Sequence, residues 1–501
     1  MRARIFILHF FILSSLLSCS TVKDSRIEII DEIFTSLHTE ERFNGNILIS
    51  EKGKVIYKKS FGYAHYENEV RLDQSSIFNI ASVSKTFTAV SILMLEEKGM
   101  LGLGDKIENY FPNFPYKKIT IKNLLTHSSG LQRIQSQPFR KEIEGKGYNN
   151  QQILDVFIKL KPDLYFKPGT NYKYSNTNYI FLALIVEQVS GLSFEDFLKT
   201  NFFEILKMNS TFLEKDNVPN EFEKHLVSYY RKPHWLSNGF QNTIGLEENI
   251  VELNTFKNNY GESDIHTTTG DLLKFHEALQ NGKLISLISL EKMYKSYKPY
   301  NNEKYILSEK SNYPSQRGLS WNIAKDSLTG KVVYHAGGFR GGRSFFIRNL
   351  TNDQCIIILT NNTETDFYTF TSPMRIMNKI GYQLDKKKLA RLFANEYMKN
   401  GIESAVEKYN QFKGDEDYIP IIDWDFEEIG QELIKKKDYK SAVSLYKLYT
   451  EKYNDEFAWT LLGDAYLMNG NKIEAKKSFE RALHINANYN PALKQLMTIS
   501  D

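Results

Sequence analysis

Three short strings along the chain carry the residue types of acyl-transfer chemistry: Ser82-Val83-Ser84-Lys85, Tyr174-Ser175-Asn176 and His335-Ala336-Gly337. A serine hydroxyl is a poor nucleophile at neutral pH and needs a base beside it. Ser82 precedes an apolar run, Val83, Phe87, Val90 and Met94, whose three- and four-residue steps predict one buried stripe of a helix ending near Gly99. The N-terminus of that helix, with its unpaired N–H groups and positive dipole end, favours negative charge developing at Ser82. Lys85 falls one turn later and reaches the same hydroxyl; its amine is a base if burial lowers its pKa. Tyr174 is the other base available, provided that a cation such as Lys85 stabilises its phenolate. Asn176 offers an amide donor and acceptor suited to Lys85 and to a substrate carbonyl, and the string from His335 to Gly337 is the candidate anion site.

Taken singly, each string has a plainer reading as a helix cap, a packed tyrosine, a turn asparagine or a strand end. S-x-x-K recurs at Ser20 to Lys23 and Ser444 to Lys447, and Tyr66, Tyr148 and Tyr300 also open Y-x-N; H-x-G occurs only at His335. Order, separation and flanking sequence carry the weight.

Those flanks resemble the serine β-lactamase and penicillin-binding-protein superfamily, in its class C-like branch of esterases, D-amino-acid peptidases and low-molecular-weight penicillin-binding proteins. FNGNILISEKGKVIYKKSFGYA from Phe43 resembles the family's opening hairpin. IKNLLTHSSGL, from Ile121 to Leu131, resembles the segment after the nucleophile helix, and PGTNYKYSNTNYIFLALIVEQVSG, from Pro168 to Gly191, the second-motif loop and its helix. The resemblance covers roughly Arg26 to Leu384. It implies that Tyr174 takes the Ser82 proton and returns it to the leaving group, that Lys85 holds the electrostatics, and that the backbone N–H groups of Ser82 and Gly338 form the oxyanion hole.

Two positions depart from the family pattern. Classical β-lactamases have lysine where this chain has His335, and histidine is only partly charged near neutrality, so Arg340 and Arg343 are the candidates to restore a cation for a substrate carboxylate. Asp264 stands where such relatives usually carry glycine, and is expected at the surface.

Positioning these residues requires a particular framework. A helical pattern over Ile27 to Leu37 is followed by a hairpin, Asn46 to Ser50 and Val55 to Phe61. Strand signals return only at Gly318 to Ala324, Val332 to His335, Ser344 to Arg348 and Cys355 to Asn361. Strands from both ends with helices between predict an α/β (α+β) domain: one antiparallel sheet flanked by helices, with an inserted helical lobe and the site between the layers.

At 501 residues, 41% hydrophobic and 25% charged, the chain is long enough for more than one core. A net charge of +4, from 64 basic and 60 acidic residues, argues against a nucleic-acid partner. Histidine spacing indicates no metal site, and the chemistry asks for no cofactor.

Arg2 and Arg4 precede an apolar stretch from Ile5 to Leu17, too short to span a membrane but suited to a signal peptide. Leu16-Leu17-Ser18-Cys19 resembles a bacterial lipobox, which implies cleavage before Cys19, lipidation of its thiol and an exported, membrane-anchored protein over a 1–19 leader. Cys355, the other of two cysteines, is then unpaired in an apolar strand.

After a catalytic region over 26–384, composition shifts to a Lys-, Glu- and Tyr-rich helical pattern over 386–501. Trp459, Leu462, Gly463, Tyr466, Ala475, Phe479 and Ala482 match tetratricopeptide spacing; Gly430, Ala442 and Tyr446 lie 33 residues before Gly463, Ala475 and Phe479. So short an array is expected to pack on the catalytic region, either as a peptide-binding groove for a protein partner or as a stabilising appendage. The resulting expectation is a serine hydrolase forming an acyl-enzyme on Ser82 with an ester or amide, such as a D-amino-acid cell-wall peptide or a small ester. Its rivals are a non-catalytic or slowly turning over penicillin-binding sensor or scaffold, and a true β-lactamase.

Overall fold

The computed structural model describes residues 24–499 apart from 215–217, 233, 238, 247–253, 257, 298–314, 325–327 and 366, so the leader and Cys19 lie outside the described residues. A seven-stranded sheet runs in the order Ser315–Arg317, Asn322–Ala324, Val332–Phe339, Gly342–Asn349, Gln354–Thr360, Gly45–Glu51, Lys54–Phe61. Every neighbouring pair is antiparallel. Strands from the two ends of the catalytic region meet where Ile47 pairs with Ile358.

Alternation along these strands divides the core between two faces. Ile47, Phe345 and Ile358 pack under the Ser25–Thr39 and Phe367–Met377 helices with Ile30, Phe34 and Phe370. Leu48, Phe346, Ile357 and Leu359 face the helical lobe with Phe87, Val90 and Phe275. Phe87, from the Ser84–Glu97 helix, stacks on Phe275 at 3.9 Å between ring centroids, fixing the nucleophile helix over the sheet.

Of the strand expected over Gly318 to Ala324, only Asn322–Ala324 is a strand; residues 318–321 form a turn that joins it to the preceding strand, Ser315–Arg317. Gly318 N–H donates to Trp321 O, closing a turn that reverses the chain between Arg317 and Asn322. Apolar residues in a tight turn had the composition of a strand, and Trp321 is fully buried there.

Beyond the sheet the chain is helical apart from a short parallel pairing of Lys387–Lys388 with Tyr418–Ile419. The pairs Leu389–Asn400 with Ile402–Phe412, Asp423–Lys435 with Tyr439–Lys452, and Glu456–Met468 with Lys472–Ile485 are followed by Asn490–Ile499. A Cβ on Gly430 would stand 2.2 Å from the Tyr446 ring, and one on Gly463 2.4 Å from the Phe479 ring. Residues 33 apart in sequence therefore make the same helix-to-helix contact in successive pairs. The core of this region also takes in Leu236, from the catalytic region.

Candidate active site

Ser82 lies in a 3-10 turn, Ala81–Val83, immediately before the Ser84–Glu97 helix. The turn is held in a sparsely populated conformation: Ala81 has φ +46°, a left-handed value costing roughly 1–3 kcal/mol for a residue with a Cβ. Its N–H donates to Asn79 Oδ1 at 2.7 Å, Ile80 N–H to Ile265 O at 2.9 Å, and Ser344 Oγ to Ile80 O at 2.6 Å. The sheet comes close enough to touch this turn because position 337 is glycine. A Cβ there would lie 2.4 Å from Ile80 O and 3.0 Å from Ser82 N.

Lys85 is fully buried, whereas Ser82 is half-exposed. Lys85 Nζ donates to Ser82 Oγ at 3.0 Å and to Glu262 O at 2.6 Å, with Glu262 Oε2 at 3.5 Å. An ammonium has three N–H donors and no lone pair, and this shell offers three acceptors. The arrangement holds the Lys85 amine against the Ser82 hydroxyl.

The Tyr174 ring centroid stands 5.2 Å from Lys85 Nζ. His127, which has no role in the sequence reading, holds the tyrosine loop: its ring lies 4.3 Å from that of Tyr174, its carbonyl accepts from Lys173 N–H, and its Nδ1 accepts from Ser175 N–H at 3.2 Å. Asn178 Nδ2 also donates to that nitrogen at 3.0 Å, since Asn178 Oδ1 is taken by the Ser129 hydroxyl. Two donors on Nδ1 place the His127 proton on Nε2. Burial, then Arg317, Lys85 and His335, hold its pKa well below the ordinary histidine value.

Asn176 precedes the Thr177–Ser190 helix. Contrary to expectation, Lys85 bonds Glu262 rather than Asn176, whose Oδ1 is buried without a hydrogen-bond partner among the described residues. That acceptor is available to a substrate N–H.

His335 is 2% exposed, and its Nδ1 lies 2.8 Å from Ala336 O. Burial, with Arg317 and Lys85 nearby, holds its pKa well below the usual range, so the ring is neutral rather than partly charged at pH 7. Its proton then sits on Nδ1 and its buried Nε2 is an acceptor. The arginines expected to compensate are elsewhere. Gly337 and Ser344 face the nucleophile turn, so Arg343, the next residue along the strand, lies on the opposite face; Arg340 is in the turn between the two strands. Arg317 is a second buried basic side chain beside the site, with Nη1 on Asn322 Oδ1 at 2.7 Å and Cζ 5.8 Å from the Tyr174 ring. Gly338, the expected second oxyanion donor, is exposed.

Asp264 is not a surface residue. It is half-buried at φ +73°, a conformation that explains a preference for glycine, and accepts from Ser263 Oγ at 2.8 Å and Asn79 Nδ2 at 3.2 Å. Burial and then the Glu262 charge push its pKa up to about 8. Glu262 and Arg317 carried no motif, His127 lay without a role in a family-like segment, and Asp264 stood out only as a departure from the pattern; chain segments far apart bring all four to the site. Among the described residues no group of histidine, cysteine or acidic side chains is arranged to hold a metal ion.

Comparison with known proteins identifies relatives of this chain. The Beta-lactamase family model matches residues 30–377. Penicillin-binding protein 4* of Bacillus subtilis is 31% identical over 348 residues, covering 69% of this chain and 74% of that protein. Teichoic acid D-alanine hydrolase of Staphylococcus aureus is 29% identical over 267 residues, covering 53% of this chain and 60% of the relative. Among solved structures, the octameric penicillin-binding protein homologue from Pyrococcus abyssi superposes with a TM-score of 0.57 at 23% identity, covering 70% of this chain and 76% of that one. The D-amino acid amidase of Ochrobactrum anthropi SV3 also gives 0.57, at 20% identity over 71% and 98% of the two chains. At these identities the structural likeness concerns the fold.

Proposed function

The chain belongs to the beta-lactamase family, and from that premise we propose that it is an exported serine hydrolase that forms an acyl-enzyme on Ser82. Lys85 Nζ at 3.0 Å from Ser82 Oγ is the observation that carries the reading. Ser82 Oγ attacks the carbonyl carbon of an ester or amide, its proton passes to the Tyr174 oxygen, and the carbonyl oxygen takes the charge in front of the Ser82 and Gly338 N–H groups. The carbon–oxygen or carbon–nitrogen bond then breaks, Tyr174 returns the proton to the leaving group, and water releases the acyl group by the reverse sequence.

The substrate we infer is a D-amino-acid peptide or ester of the cell wall, or a small ester. Relatives named for D-alanine hydrolysis and D-amino acid amide cleavage support that class. A neutral His335 supports it against a true β-lactamase, since it offers no fixed charge to a penicillin carboxylate. Asn176, His335, Gly337 and Gly338 line the substrate side in this reading. The organisation that goes with it is a 1–19 leader with lipidated Cys19, a catalytic region over 26–384 and tetratricopeptide-like repeats over 386–501. Among the described residues no helix is long and apolar enough to cross a membrane.

A serine-directed phosphonate is expected to label the wild type at Ser82 and to leave Ser82→Ala unlabelled; equal labelling of both would reject the mechanism. Mass spectrometry of the protein exposed to esters, D-alanyl peptides and penicillins then identifies the acyl donor. A penicillin adduct that persists for hours would favour a sensor.

A further inference from the structure

A hairpin from the catalytic region spans the distance between the nucleophile turn and the C-terminal helices. Its arms are Tyr230–Arg231 and Gln241–Asn242, paired through Tyr230 with Asn242 and Arg231 with Gln241. Its tip, His234 to Ser237, is gripped by the helices. Glu432 accepts from Trp235 N–H at 2.9 Å and from Leu236 N–H at 2.7 Å, one carboxylate oxygen for each amide. Glu428 accepts from the Trp235 indole at 2.9 Å, Lys436 donates to Leu236 O at 2.9 Å, and Arg391 donates to Trp235 O at 3.0 Å while its guanidinium covers the indole at 4.7 Å. Leu236, 3% exposed, is buried in the helical core.

The hairpin's base is the other anchored end. Tyr229, which leads into it, accepts the Asn79 N–H on its hydroxyl at 2.6 Å, and Asn79 Oδ1 in turn accepts Ala81 N–H at the strained position before Ser82. The Tyr229 ring meets Phe339 edge-on at 4.6 Å, and Gly342 is free of a side chain where a Cβ would lie 2.6 Å from that ring. Thr243, on the returning arm, donates its N–H to Tyr229 O at 2.8 Å and would meet a Cβ on Gly341 at 2.7 Å. The base thus touches Asn79, whose side chain holds the nucleophile turn, and the turn that follows the His335 strand. A two-stranded ribbon with two paired residues per arm has little stability of its own, so its position is set by what holds it: the two ends and, along the arms, Tyr230 and Phe240 against Tyr66 and Lys232 on Glu41.

We propose that the C-terminal helices are a positioning element for the reaction: their groove is occupied by this chain's own Trp235–Leu236 tip, and by holding it they keep Tyr229, and through Asn79 the Ala81–Ser82 turn, in the reactive geometry. The groove's occupant is a turn with two adjacent N–H groups that share one carboxylate, an aromatic anchor and an aliphatic one, recognised by Glu432, Glu428 and Arg391. A peptide of that chemistry from elsewhere would have to displace the tip and would slow acylation. Only the acylation part rests on the function proposed above; the mechanical link between tip and turn does not.

Amide hydrogen exchange on the full chain tests the link directly. In the wild type the Trp235 and Leu236 amides are protected. Glu432→Ala is expected to expose them and to speed exchange at Asn79 and Ala81 by about tenfold, the scale of a local opening shifted by one hydrogen-bonded contact. Glu432→Gln, which keeps the side-chain shape and one acceptor, shifts both in the same direction by less. Tyr229→Phe cuts the link at the other end, so Asn79 exchanges faster while Trp235 and Leu236 stay protected. Phosphonate labelling of Ser82 slows in all three variants relative to the wild type. The proposal is overturned if the wild-type tip amides exchange as a free loop does, if Glu432→Ala leaves them protected, or if they open while Asn79 and Ala81 are unchanged. An unlabelled wild type whose exchange pattern still follows the link would instead reject the serine-hydrolase reading alone.

Discussion

Glu262 supplies Lys85 with two of its three acceptors, a carbonyl at 2.6 Å and a carboxylate oxygen at 3.5 Å. Lys85 is sealed from solvent and Glu262 is 6% exposed, so the pair interacts without much screening by water. Glu262→Gln keeps the carbonyl and the shape and removes the charge. Losing one partner of a buried pair costs about 3–5 kcal/mol where no other group compensates. Because the carbonyl and Ser82 remain, the expected loss is at the low end, seen as a lower melting temperature together with slower phosphonate labelling.

Tyr174→Phe removes the phenolic oxygen and leaves the ring between His127 and Lys85. Loss of a general acid–base group lowers turnover about 10²- to 10⁴-fold. KM for a small ester is expected to change little, which separates proton transfer from binding in steady-state kinetics.

Asp264, its pKa raised from 3.8 to about 8, makes folding pH-dependent in a defined direction. Between those values the unfolded chain ionises this carboxyl while the folded chain keeps its proton, so its contribution to stability falls as pH rises and levels off above about 8. Asn tolerates the positive φ at this position and cannot ionise. The melting temperature of Asp264→Asn is therefore expected to rise relative to the wild type between pH 4 and pH 8, and the two should converge at the acid end.

His127 and His335 act in the opposite sense. Both have pKa values well below 6.5 in the folded chain, so the unfolded state binds protons first as pH falls below that value, and stability is lost. His335→Gln, which cannot be protonated, should flatten the decline in melting temperature below about pH 6.5, measured by calorimetry.

Gly463→Ala would put a methyl group 2.4 Å from the Phe479 ring, and overpacking of this kind costs about 1–3 kcal/mol. The expected effect is earlier unfolding of the C-terminal helices, read by circular dichroism. Gly430→Ala should do the same through Tyr446.

The fold was legible from local pattern. Alternation in the Gly45–Phe61 hairpin and the apolar strands from Val332 to Thr360 predicted the sheet, and a 33-residue recurrence predicted helices that repeat one contact. The segment before Ala324 was misread because a buried turn has the composition of a strand. Ser82, Lys85 and Tyr174 were legible through their flanking sequence, and the structure brings them together. Glu262 was not: its carboxylate matters only because residue 262 folds back against a helix that begins at residue 84. Neither was Trp235, whose partner Glu432 lies 197 residues away.

By itself the sequence determined which chemical groups are present and which of them share a helix or strand, since three- and two-residue periodicities are properties of the backbone. The nucleophile and its lysine follow from that, one helical turn apart. Only the tertiary structure decided the charge states around them. A histidine is neutral or cationic, and an aspartate ionised or protonated, according to burial and to cations and anions contributed by distant segments, and local sequence contains none of that information.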